Sequence, residues 1–115
     1  MLLFALCFVV NAAITFTLAA ALARDGRGIA DAFGTDTPAR RILACVYTAI
    51  GMVSLLGLAL ILAGQSDTAR AVGTTLFAVQ ITYKLLTAWA VGLSNPVVVV
   101  NLLVVALLCL TLAVA

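Results

Sequence analysis

Lys84 is the residue whose placement most needs an explanation. It is the only charged side chain in residues 71–115. A lysine at the centre of a membrane helix costs about 2.5–3.5 kcal/mol on insertion scales, so it usually faces the bundle interior or a wet cavity and marks a candidate functional site. Gly73, Phe77, Gln80, Lys84, Thr87 and Val91 recur at three- and four-residue spacing, which places an amide, an amine and a hydroxyl on one helix face. Depth alone nominates Asn11, Tyr47 and Asn101, on three other apolar stretches, as neighbours of the amine. Together with Gln80, Lys84 and Thr87 they form the candidate polar cluster. None of its members is acidic. The four acids, Asp25, Asp31, Asp36 and Asp67, fall outside the apolar stretches, and the chain has no glutamate. An unpaired ammonium in hydrocarbon tends to lose its proton. Three arrangements follow: a neutral amine bonded to Gln80 and asparagine side chains, a stem that snorkels to the interface, or a carboxylate supplied by another molecule.

Other chemistry is excluded by what the chain lacks. Without histidine there is no His-ligated haem or copper and no Ser–His–Asp triad. Cys7, Cys45 and Cys109 form no C-x-x-C pair and read as small apolar packing residues. Neither phosphate-binding glycine motif occurs, and the spacing of Asp25, Asp31 and Asp36 matches no metal loop. We expect no cofactor, no metal and no enzymatic activity.

These residues need elements to hold them, and the composition dictates which. Of 115 residues, 66% are hydrophobic and 9% charged, against about 45–50% and about 25% in a soluble domain. Ten charged side chains cannot cover the surface of so small a fold. A soluble domain, a disordered chain and a nucleic-acid binder are thereby excluded. A membrane helix needs about 20 apolar residues. Residues 1–23 and 42–66 carry no charge, and Gly92-Leu93-Ser94-Asn95-Pro96 breaks the last stretch in two. The pattern predicts helices over about 2–23, 39–63, 70–92 and 96–115, since backbone amides in lipid must bond internally. Thr37-Pro38 and Asn95-Pro96 each place a capping side chain before a proline suited to the first helical position. Short second and third connections make the expected fold all-α: a single transmembrane domain, an integral membrane up-down four-helix bundle.

Orientation follows from the arginines. Arg24, Arg27, Arg40 and Arg41 belong to the first connection, and Arg70 stands alone in the second. The positive-inside rule puts the 24–38 loop in the cytoplasm and both termini outside, in a multi-pass protein expected in a bacterial inner membrane. The four arginines are candidate contacts for lipid headgroups. Ile29, Ala32 and Phe33 are spaced for one face of a short helix, but the stretch is under two turns, so we read 24–38 as an ordinary loop. Ala21-Leu22-Ala23 resembles a cleavage site, yet no basic residue precedes the apolar run, which is too long for a signal-peptide core; helix 1 is expected to be retained. Trp89 is placed as an interfacial anchor. Gly51, Ser54 and Gly57 on helix 2, and Ala71, Thr75, Ala78 and Thr82 on helix 3, offer small residues for close helix packing.

The expected function is that of a non-enzymatic structural or accessory subunit, embedded in the lipid bilayer and assembled as a homo-oligomer or within a larger membrane complex, with no nucleic-acid partner. The alternative is an oligomeric small-solute or anion transporter using the Gln80/Lys84/Thr87 stripe. A small enzyme or a lipid or quinone binder, using Lys84, Tyr83 or Tyr47 as donors, has the least support.

Overall fold

The computed structural model describes residues 1–26 and 28–115. It contains five helices: α1 (Leu2–Ala23), α2 (Ile29–Phe33), α3 (Pro38–Leu62), α4 (Ser66–Val91) and α5 (Pro96–Val114). The described residues contain no strand. The fold is therefore all-α, but with one helix more than the four expected. The addition is α2, inside the segment read as loop. Its five residues are too few to be helical on their own. Tertiary burial supplies the difference: Ile29 is buried against Ala19, Leu22, Tyr47 and Ile50, and Asn95 Nδ2 donates to the Ala32 carbonyl at 2.8 Å.

The helix ends follow local chemistry. Thr37 Oγ1 accepts the Arg40 amide at 3.4 Å and Asn95 Oδ1 accepts the Val97 amide at 2.9 Å, each beside a proline in the first turn. α3 closes on a Schellman turn, with Gln65 N–H donating to Leu60 O and Gly64 N–H to Ile61 O. Gly64 takes φ +77° there. α1 ends the same way, but the left-handed position is filled by Asp25 at φ 52°, a conformation aspartate tolerates better than most residues.

Three helices, α1, α3 and α5, are long and apolar enough to cross a membrane. α4 has 26 residues, which is long enough, yet it is not among them. Gln80, Lys84 and its threonines lower its hydropathy. Its buried residues are Ala69, Gly73, Phe77, Gln80 and Lys84, the face the spacing predicted, save that Thr87 is half-buried and Val91 at its foot is exposed.

The long helices form a ring in the order α1, α3, α4, α5, with α1 also touching α4 across the middle. The body measures 43 × 25 × 19 Å, longer along its major axis than the roughly 30 Å of a hydrocarbon core. At one end Arg70 Nη1 donates to the Ala115 carbonyl at 2.7 Å, and its guanidinium lies 5.1 Å from the centroid of the Phe4 ring. At the other end the Asn95–Ala32 bond ties the α4–α5 turn to α2. Alternate connections thus share an end, as an up-down path requires.

A knot of aromatic rings holds the Arg70 end together. Phe77 stacks 5.5 Å from Phe4 and 5.3 Å from Phe8, centroid to centroid, and none of the three is more than 1% exposed. The rings fit because α3 and α4 present glycine to them. A Cβ on Gly57 would overlap the Phe8 ring, and one on Gly73 would lie 2.7 Å from Phe4 Cδ1.

Candidate functional site

The polar cluster assembles on facing helices, but as separate pairs rather than one network. Asn11 of α1 and Gln80 of α4 exchange amide hydrogen bonds: Asn11 Nδ2 donates to Gln80 Oε1 at 2.6 Å and Gln80 Nε2 donates to Asn11 Oδ1 at 3.3 Å. Gln80 is fully buried and Asn11 nearly so. Thr15 adds a bond to the Asn11 carbonyl at 2.6 Å. One turn along α4, Lys84 Nζ donates to Asn101 Oδ1 of α5 at 2.8 Å. Lys84 is 3% exposed, so its stem does not snorkel. Its partner is an asparagine, as one arrangement required, but Gln80 is not shared with it.

No acid accompanies Lys84. Among the described residues, every ion pair lies in the segment joining α1 to α3 or at its edge. The Gln80 and Lys84 side chains of α4 are thus partnered inside one chain. In an apolar surrounding this is the condition for keeping them there at all.

Tyr47 and Thr87 stand apart from both pairs. Thr87 Oγ1 donates to the Tyr83 carbonyl at 2.8 Å. Tyr47 is 4% exposed, and its ring meets Phe33 of α2 edge-on at 6.2 Å. Both line a cavity that Asn101 also borders.

The arginines divide by role. Arg24 and Arg41 are exposed, and Arg41 is paired with Asp36. Arg27 lies outside the described residues. Arg40 is turned inward: at 4% exposure it donates through Nη1 to Asp25 Oδ1 at 2.8 Å and to the Gly34 carbonyl at 3.1 Å. Arg40 thus pins the loop to the start of α3 instead of meeting lipid. Spacing could not show this, because the turn that brings Asp25 back depends on its left-handed backbone.

Arg41 grips Asp36 with two bonds, at 3.1 and 3.0 Å. That contact, with the nearby charges of Arg41 and Arg40, holds the Asp36 carboxyl below its ordinary value. A carboxyl depressed by folding stabilises the fold above its unfolded pKa, near 4, and the contribution is lost as pH falls through the lower, folded value. Amide exchange at the start of α3, corrected for intrinsic rates, should therefore hold level down to about pH 4 and quicken below it. Asp36→Asn should exchange faster at neutral pH and show no such step.

Two participants were not singled out as polar contacts, and a third, Tyr83, was named only as a candidate donor. Cys7 Sγ lies 3.0 Å from Thr111 Oγ1, joining α1 to α5. Thr15 backs Asn11, and Tyr83 buries a hydroxyl with no partner. Cys7 and Thr15 follow Asn11 and Phe4 on one α1 face, so the three- and four-residue rule could have found them. Cys45 and Cys109 are exposed and unpaired. The described residues contain no grouping able to hold a metal ion. Compared with protein-family models, with curated proteins and with solved structures, the chain matches none.

Proposed function

We propose that the chain is a non-enzymatic accessory subunit that crosses the membrane four times, α4 being the fourth crossing, and packs against another membrane protein or a second copy of itself. The observation that carries this reading is the outward face of α4. Ala71, Thr74, Thr75, Ala78 and Thr82 are all exposed, while Gln80 and Lys84, the polar residues in the middle of the helix, point inward. Small and weakly polar side chains gain little from lipid tails but allow helix backbones to approach closely and hydrogen-bond across a contact. Beside them a shallow apolar groove, bordered by Val53, Val72, Leu76 and Val79, continues the surface onto α3. Closure of the Asn11–Gln80 and Lys84–Asn101 pairs within the chain favours this reading over a solute path along the stripe.

The proposed orientation sets α2 with Arg24, Arg27, Arg40 and Arg41 in the cytoplasm and both termini outside. A reporter fused after Ala115 that works only in the cytoplasm would reverse it.

Ala78→Phe tests the packing. The ring projects from an exposed position, so the monomer should insert and keep its detergent stability. Overpacking of about 1–3 kcal/mol at the contact should lower complex occupancy by about tenfold or more. The readout is the mass of the assembly extracted in mild detergent. If wild type and variant both run as the bare chain, the proposal fails.

A further inference from the structure

Under α2, between α3, α4 and α5, lies a cavity of about 280 Å³. Phe33 and Val98 contribute to its apolar walls, and Tyr47, Tyr83, Thr87 and Asn101 are the side chains that give it polarity toward the bundle interior. The hydrogen-bond inventory of this wall is one-sided. Tyr47 is buried without a hydrogen-bond partner among the described residues. The Tyr83 hydroxyl is buried and unpartnered as well. Asn101 spends its acceptor, Oδ1, on Lys84, which leaves its amide N–H groups as donors. Thr87 already donates to a carbonyl.

The charge balance is one-sided too. No acid lines the cavity. Asp31 borders a separate surface hollow with Gly28 and Ser94. Lys84 stands directly behind Asn101, a basic side chain with no acidic partner among the described residues. The first turn of α5, through Val97 and Val98, also forms part of the wall, with its amides already bonded to Asn95. Unpartnered hydroxyls able to donate, free amide N–H groups and a base without an acid share one complement: an anion rich in acceptors. The apolar walls require that its remainder be apolar.

We propose that this cavity binds a small apolar monocarboxylate, of about the size of benzoate. Its carboxylate accepts from Tyr47, Tyr83 and the Asn101 amide, and its hydrocarbon part lies against Phe33 and Val98. Lys84 acts through Asn101: a donor whose own carbonyl accepts from a basic group is polarised toward the ligand. The site is independent of the packing face on α4, which points away from it.

The test is titration of the purified full chain in detergent with benzoate, followed by ligand NMR or calorimetry. We expect saturable binding of one benzoate per chain. Benzamide, equal in shape and uncharged, should bind at least tenfold more weakly. Tyr47→Phe should weaken benzoate at least fivefold and Tyr47→Phe/Tyr83→Phe further, with the thermal midpoint unchanged or raised, since the Tyr83 hydroxyl is buried without a partner and no hydrogen bond among the described residues is lost at Tyr47. Three results would overturn the assignment: non-saturable uptake, equal binding of benzamide, or undiminished binding in the double variant. Binding of hexadecanoate in place of benzoate would also overturn it, by showing that the cavity serves a lipid tail. Ala78→Phe should leave benzoate binding intact, which separates this outcome from failure of the packing proposal.

Discussion

Gly57→Leu should leave the bundle unable to close in detergent under conditions where the wild-type chain stays folded. The reason is the immobility of what the new side chain would meet. Even a methyl at Gly57 overlaps the Phe8 ring. Phe8 has no solvent exposure, and it is wedged against Phe77 at 5.3 Å and Phe4 at 6.4 Å. The ring cannot yield without moving α1 away from α3, or disturbing α4 through Phe77. Overpacking commonly costs about 1–3 kcal/mol where neighbours can adjust. Leucine adds three further carbons at a place where they cannot, so the upper end of that range, or more, is expected. Total stability of a domain is about 5–15 kcal/mol, so the midpoint of denaturation by sodium dodecyl sulfate should fall far outside experimental scatter. Gly73→Leu should behave alike through Phe4. The double variant should cost less than the sum, because Gly73 also faces Phe8, at 2.9 Å, and one displaced ring relieves both sites. Gly64→Ala is the contrast: its left-handed φ makes any side chain costly, yet nothing lies within 4 Å of the added carbon, so only conformational strain of about 1–2 kcal/mol is expected. A midpoint for Gly57→Leu as high as that of Gly64→Ala would mean that Phe8 does not occupy this gap.

The same contrast explains how far the sequence carries. Long helices were legible because lipid-type segments announce themselves by composition: α1 occupies its expected range, and α3 and α5 differ from theirs by a residue at one or both ends. α4 begins at Ser66, four residues before the expected start, because Asp67 and Arg70 suggested a connection where they merely decorate the first turn. The inward face of α4 was legible as well, since Gly73, Phe77, Gln80 and Lys84 keep helical spacing and all are buried. Pairing was not. Depth put Asn11 and Asn101 both within reach of Lys84, and only the ring order of the helices decides that Gln80 takes the first and Lys84 the second. α2 was missed for a related reason: five residues carry too little periodic signal, and what makes them helical is the surface of α1 and α3 beneath Ile29. Arg40 belongs with it, as its role depends on the turn at Asp25.

The second large effect concerns that pairing, and it takes the form of a double-mutant cycle. Asn101→Leu should be the more damaging single change. It removes the acceptor of the Lys84 amine while the amine stays in place, buried between α4 and α5. Stranding a buried polar group costs about 1–3 kcal/mol, and more where the group is charged. Lys84→Met should cost less. It strands only a carbonyl oxygen, on a side chain that already borders a cavity, and methionine fills the lysine stem's volume with a flexible apolar chain. Lys84→Met/Asn101→Leu should then recover most of the loss, because two apolar side chains leave nothing unsatisfied; replacing a buried polar pair in this way is often neutral or stabilising. The expected coupling is about 1–3 kcal/mol, above the roughly 0.6 kcal/mol average of interhelical hydrogen bonds in membranes. That average reflects groups which find new partners once a bond is cut. Here two of the candidates within α4 are engaged elsewhere, Gln80 with Asn11 and Thr87 with a carbonyl, and Tyr83 meets the amine with its ring, 5.1 Å away at the centroid. Chemical denaturation of the four proteins in one detergent gives the cycle. If Asn101→Leu proves no less stable than Lys84→Met, the amine has found an exit to the interface, and the bond to Asn101 is not what keeps it inside.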